Sequence, residues 1–284
     1  MARRTAIVRQ DGTFEFGNVS PGSYVVQGTV RPSPGRLTEF GVAFVEVAGA
    51  DVLPVTLRTS PGTPITGRLV LEGDTSSVDP DLFGVGLDPS DLDYDPIGLD
   101  RSGAGIREDG TFELRGRGPM RITSRAVPRG WWLKSAMIGA VDAAEQPVML
   151  TGGAEPLEVV AVFSDATAEI SGRISDARGE PARESFVLVF PIDRSRWPMA
   201  SRYMRTIRAG AAVPGDTRPV AAAGFRLSAV PPGEYWIVAV DRFDAAERQD
   251  LDVMASLASL AERITLREHE RAIRDLRLVQ RPTP

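Results

Sequence analysis

The pentapeptide Asp-Gly-Thr-Phe-Glu occurs twice, beginning at Asp11 and again at Asp109. A motif returning at long range means that one supersecondary unit is used more than once, which narrows the fold more than composition can. The first copy, Asp11-Gly12-Thr13-Phe14-Glu15-Phe16, leads into Asn18-Val19-Ser20-Pro21-Gly22-Ser23-Tyr24-Val25-Val26. The second is Asp109-Gly110-Thr111-Phe112-Glu113-Leu114. A third reads Gly224-Phe225-Arg226-Leu227, then Val230-Pro231-Pro232-Gly233-Glu234-Tyr235-Trp236-Ile237-Val238. Asp-Gly before alternating residues predicts a tight primed hairpin turn, which needs positive φ. Phe14 and Phe16 then share one strand face while Thr13 and Glu15 take the other. Pro-Gly supplies the next reversal, with glycine at the positive-φ position of a type II turn. Tyr24 and Tyr235 each follow that glycine by two residues. They either bond back to the backbone, as in the tyrosine corner of Greek-key sandwiches, or pack at a sheet edge.

A second element precedes the later copies: Ile65-Thr66-Gly67-Arg68-Leu69-Val70 matches Ile170-Ser171-Gly172-Arg173-Ile174-Ser175. Each unit closes on an alternating strand, at Leu53–Leu57, Leu157–Val162 and Ile273–Leu278. Short strands between frequent Gly and Pro turns predict an all-β chain of tandem Greek-key sandwiches. The expected units are 1–59, 60–165 and 166–284. Only Met1–Thr13 precede Phe14, too few to hold the strands that separate Gly67 from Phe112. The first unit is therefore expected to be a partial, N-terminally truncated sandwich. That makes the chain a fragment of a longer exported protein, or one with a misassigned start. Alternatively its open edge accepts a strand from a partner.

Two departures stand out. Gly118-Pro119-Met120-Arg121 replaces Pro-Gly-x-Tyr in the second unit, and Ala222-Ala223-Gly224 replaces Asp-Gly in the third. Between Asp250 and Arg263, Leu251, Met254, Leu257 and Leu260 recur at threes, which predicts one short amphipathic helix in the C-terminal unit.

The Ile-Ser-Gly-Arg-Ile opening, Asp-Ala-Arg-Gly-Glu-Pro at 176–181, Val187-Leu188-Val189-Phe190, Gly-Phe-Arg-Leu and Pro-Pro-Gly-Glu-Tyr together resemble carboxypeptidase regulatory-like domains. The resemblance covers 166–284 best, 60–165 reasonably and 1–59 in part. It implies Ig-like or transthyretin-like seven-stranded sandwiches, grouped with carbohydrate-binding-like folds. It also implies a non-catalytic spacer or interaction module of a bacterial exported or envelope protein, hence an extracytoplasmic location (periplasmic, outer-membrane-associated or secreted).

Composition excludes several functions. A net charge of −5 lacks the basic stripe that nucleic-acid phosphates require. Without cysteine there is no disulfide or thiol chemistry, and with one histidine, His269, the usual zinc sets cannot form. His269 lies in Arg267-Glu268-His269-Glu270-Arg271, read as a charged turn. No apolar run is long enough to span a membrane, and no apolar signal-peptide region follows Met1. No nucleophile elbow, phosphate loop or dinucleotide fingerprint is present. The chain is read as having no catalytic residues, cofactor or metal, and as serving a protein or polysaccharide partner.

Two features remain as binding candidates. One is the acidic run of Asp79, Asp81, Asp88, Asp91, Asp93, Asp95 and Asp100. Asp91-Leu92-Asp93-Tyr94-Asp95 resembles the start of a calcium loop, but Gly98 falls late and Ser102 stands where a bidentate Glu belongs. The other is aromatic. Neighbours on a strand face opposite ways, so Trp131 and Trp132 cannot share a core, nor can Tyr235 and Trp236. One of each pair either stacks on sugars at an exposed face or cements one unit to the next, and Trp197 and Tyr203 extend this set.

Overall fold

The computed structural model describes residues 4–30, 37–49, 54–76, 78–90, 103–197, 201–212 and 216–281. The chain is all-β, with one α-helix among the described residues. An antiparallel hairpin comes first, formed by β1 (Gly22–Val30) and β2 (Glu39–Val47). Nine strands follow: β3 (Thr63–Glu72), β4 (Gly84–Pro89), β5 (Ala104–Gly105), β6 (Thr111–Gly116), β7 (Gly118–Ala126), β8 (Trp132–Ile138), β9 (Val141–Asp142), β10 (Val148–Leu150) and β11 (Leu157–Ser164). They form two sheets, ordered β10-β7-β4-β5 and β6-β3-β11-β8-β9. Ile65, Phe83, Val85, Phe112, Ile122 and Phe163 fill the core of this middle sandwich.

The C-terminal sandwich contains β12 (Ala168–Ser175), β13 (Phe186–Pro191), β14 (Arg205–Arg208), β15 (Gly224–Val230), β16 (Gly233–Val240), β17 (Glu262–Leu266), β18 (Arg271–Ile273) and β19 (Leu276–Val279). Its last segment changes partner part-way. β18 and the start of β19 run parallel to β12, and the end of β19 runs parallel to β16. Both complete sandwiches share one plan. The opening strand, β3 or β12, lies between an antiparallel phenylalanine strand, β6 or β15, and a parallel closing strand, β11 or β18–β19.

The two repeated sequence elements meet in this plan. Gly67 sits opposite Phe112, and Gly172 sits opposite Phe225. A Cβ on Gly67 would run into the Phe112 ring, and one on Gly172 would meet both the Phe225 ring and the Arg274 carbonyl. The glycine is thus the space in which the phenylalanine lies down across the neighbouring strand. Two residues further on the register repeats as well. The Leu69 N–H donates to the Gly110 carbonyl and the Ile174 N–H to the Ala223 carbonyl, each at 2.8 Å.

The Asp-Gly turns differ from the expected two-residue primed form. The Gly12 N–H donates to the Arg9 carbonyl and the Arg9 N–H to the Thr13 carbonyl, with Gly12 at φ 85°. The same bonds join Arg107, Gly110 and Thr111, with Gly110 at φ 77°. This is a three-residue loop closed by a left-handed glycine. The aspartate selects it by accepting from the Thr backbone N–H and hydroxyl, at 2.9 and 2.7 Å for Asp11 and 2.9 and 2.6 Å for Asp109. Both tyrosines that follow the Pro-Gly turns bond back to the backbone: Tyr24 donates to the Ser20 carbonyl at 2.7 Å and Tyr235 to the Pro231 carbonyl at 2.8 Å.

The helix is α1 (Leu251–Leu260), its first N–H groups capped by the Asp250 side chain. Met254 and Leu257 are buried, whereas Leu251 and Leu260 at the ends face solvent. α1 covers the outer face of the β13–β16 sheet, where Leu188, Phe190, Val238 and Val240 form a second apolar layer. Each buried side chain contributes about 1.5–3 kcal/mol, enough to hold a helix too short to persist alone.

Gly67→Ala should cost about 1–3 kcal/mol through overpacking. In a Phe112→Leu background the same change should cost less, giving a coupling of about 0.5–3 kcal/mol in denaturant titrations.

Candidate functional site

Strand parity divides each aromatic pair. Trp131 enters the middle core, edge-on to Phe83 at 5.5 Å between ring centroids. Trp132 points the other way and joins the core cluster of the C-terminal sandwich, packing edge-on to Tyr203 at 5.7 Å. Tyr235 likewise enters the C-terminal core, while Trp236 lies on the outer, helix-covered face with Arg263 stacked 5.0 Å from its ring. Trp197 is buried in that same outer layer against Phe190, and its indole N–H donates to the Pro191 carbonyl at 2.7 Å.

The five aromatics therefore form no shared exposed platform. Trp131, Trp132, Trp197 and Tyr203 are all buried, the most accessible being Trp132 at 8%. Only Trp236 is half-open. Of the two alternatives drawn for these aromatics, burial holds for all but Trp236. The members that leave a core are covered at once, by the neighbouring sandwich or by α1 and its flanking loop.

What these residues build is a junction. Arg202 lies over both Trp132 and Tyr203, at 5.7 and 5.3 Å from their centroids. Its Nη2 donates to Asp142 at 3.0 Å and Glu145 at 2.8 Å, both on the middle sandwich. Asp142 is fixed beforehand, since its other oxygen accepts the Ala136 and Ala144 N–H groups. A guanidinium held between two rings and two carboxylates keeps its charge paired while its flat faces stay dry.

A second ionic contact lies nearby. Arg129 of the middle sandwich donates to Asp216 at 2.6 Å, and Arg218 binds both Asp216 and Glu169. Arg226 approaches Asp216 to 3.5 Å. The Asp216 side chain is only 2% exposed beneath these cations. Hydrogen bonds from the Arg218 side chain and backbone hold its carboxyl well below the usual carboxylate range. The Thr167 hydroxyl adds a bond to the Gly130 carbonyl at 3.0 Å.

No family model and no curated protein matches the chain. Among solved structures it is similar to the Bacillus anthracis TIE protein, at 13% identity and a TM-score of 0.25, over 97% of this chain and 44% of that one. It is also similar to a Streptococcal ancillary pilin, at 11% identity and TM-score 0.28, over 93% and 77% of the two chains. A third is GBS52, the minor pilin of Streptococcus agalactiae, at 12% identity and TM-score 0.31, over 78% and 98%. The chain thus spans less than half the length of the TIE protein.

The other sequence candidates are dispersed. Asp91, Asp93, Asp95 and Asp100 lie outside the described residues. Asp88 is committed to Thr123 and Arg125. Among the described residues no cluster of three acidic or histidine side chains could hold a metal. His269 is exposed in the turn between β17 and β18. Sequence reasoning missed Arg202, Asp142, Glu145, Arg129 and Asp216. The one available signal was the Trp131-Trp132 doublet, which requires something beyond the middle core to cover a tryptophan.

Arg202→Ala should lower the stability of the joined sandwiches by about 2–4 kcal/mol, because it removes the cation that both carboxylates share. Calorimetry should then resolve two transitions. The Asp216 contribution has the sign of a depressed carboxyl: it is present above the ordinary pKa of about 3.9 and is lost as pH falls below it. Asp216→Asn should therefore flatten part of the acid-side loss of melting temperature while leaving the behaviour near pH 8 without slope.

Proposed function

We propose that the chain is a non-catalytic tandem β-sandwich module, with unit boundaries near residues 60 and 166. In this reading it acts as a spacer and protein-interaction surface of an exported or envelope protein. The observation that carries the reading is the junction. Trp132, Tyr203 and Arg202, the residues best suited to grip a ligand, are spent on holding one sandwich to the next. A spacer needs its units locked, because a hinge between them would lose reach and direction. The likeness of the repeated motifs to carboxypeptidase regulatory-like domains supports the extracytoplasmic, non-enzymatic assignment.

Carbohydrate binding is the competing reading, and burial of four of the five aromatics weighs against it. Small-angle scattering of the full chain and of a Trp132→Ala/Arg202→Ala variant tests the proposal. The natural chain should scatter as one fixed elongated body, and the variant should broaden toward a hinged ensemble. Equal flexibility in both would overturn the spacer reading. Saturable binding to a polysaccharide, lost on Trp236→Ala, would move the assignment to a carbohydrate-binding module.

A further inference from the structure

Three arginines converge where the middle sandwich meets the C-terminal one. Arg121 on β7 and Glu145 come from the first, and Ser195, Arg196, Ser201 and Arg202 from the second. Together they line a cavity of about 10 Å³. The Ile122 N–H donates to the Ala143 carbonyl at 2.9 Å and so holds β7 beside the segment that carries Glu145. On the facing side Arg205 donates to the Arg202 and Met204 carbonyls at 2.7 and 2.9 Å, which fixes the turn presenting Arg202.

The guanidinium groups around this cavity are short of acceptors. Arg202 commits Nη2 to Asp142 and Glu145. Its Nε and Nη1, and the Nε of Arg121, are shut off from solvent and have no acceptor among the described residues. A buried donor in that position forfeits the bond it made with water, and a charged one forfeits more. Arg121 also lacks a carboxylate of its own, since Asp88, opposite it in the β4–β7 register, is committed to Thr123 and Arg125. Arg196 stacks 4.5 Å from the Tyr203 ring and reaches Asp193 only at 3.6 Å. Ser201 Oγ accepts the Tyr203 N–H at 3.4 Å, so its own proton remains to be given.

We infer that this junction cavity binds a single halide ion, chloride above all, which accepts from Arg121 and Arg202 together and clasps the two sandwiches. Size and proton count specify the ligand. A cavity of about 10 Å³ is at the lower limit for one water-sized species, which excludes carboxylates, phosphate and sulfate. Water would bring two protons into a lining whose one carboxylate is already engaged by Arg202. A halide brings none and takes charge-assisted bonds from every donor it meets. The site does not depend on what the module does, so its failure would leave the spacer reading standing.

The test is thermal unfolding of the full chain at constant ionic strength as sodium chloride replaces sodium gluconate, whose anion is too large to enter. The melting temperature should rise and level off, by about 3–6 °C at ten times the dissociation constant. Arg121→Gln should abolish the rise, whereas Arg178→Gln, at an exposed turn position, should keep it. Crystals grown in sodium bromide should show an anomalous peak between Arg121 and Arg202, a readout that needs no variant to fold. Equal melting in chloride and gluconate would make water the occupant and overturn the proposal. A chloride response that survives Arg121→Gln, or is lost equally in Arg178→Gln, would reduce it to general salt action and overturn it as well. Bromide found only elsewhere would do the same.

Discussion

A phenylalanine ring lying in the space left by a glycine on the adjacent strand is the contact around which each complete sandwich is arranged. Gly67–Phe112 and Gly172–Phe225 each tie an opening strand to a hairpin strand far along the chain, and each does so in only one register. A slip of one residue would turn the ring to the opposite face and put a Cβ where the ring must lie. With that register set, the closing strand finds a parallel partner on the free side of the opening strand. The second sheet can then close over the core. The Asp-Gly-Thr turn serves the same end, since it delivers the phenylalanine strand at a fixed angle and spacing.

Parity along the strands carries this order from one unit to the next. Because adjacent residues point to opposite faces, a Trp-Trp pair at the start of β8 must place one indole outside the middle core. The C-terminal sandwich takes that indole into its own core, and Arg202 closes over it with both Asp142 and Glu145 in reach. The same rule acting on Tyr235-Trp236 gives a different result, because there the outward residue meets α1 and the Trp197 layer. One local constraint thus produces an intermolecular-style interface in one place and a third layer in another.

How much of this could be read beforehand follows from the range of each interaction. The repeats, the strand class, the helix over 251–260 and the opposed faces of each aromatic pair depend on neighbours within a few positions. They were legible. The Asp-Gly loop was misjudged by one residue, because aspartate bonding to Thr13 and Thr111 favours a three-residue loop over the primed turn. Whether the outward aromatics stay exposed or cover a neighbouring unit was left open. Sequence spacing reveals that Trp132 leaves one core but holds no information about what awaits it outside.

The sequence by itself determined the recurring strand–turn–strand unit and the opposed faces of each aromatic pair, and with no cysteine among its residues it offers no thiol chemistry. Only the tertiary structure decided which surfaces those aromatics cover, and that Arg202 and Arg129 bridge the two sandwiches. It also decided that Phe14, in the first copy of the motif, is half-buried where Phe112 and Phe225 are fully buried. The division has a physical cause. Periodicity and turn chemistry act through bonded neighbours, whereas the partners of an outward-facing side chain come from segments distant in sequence, brought near only once both sandwiches have closed.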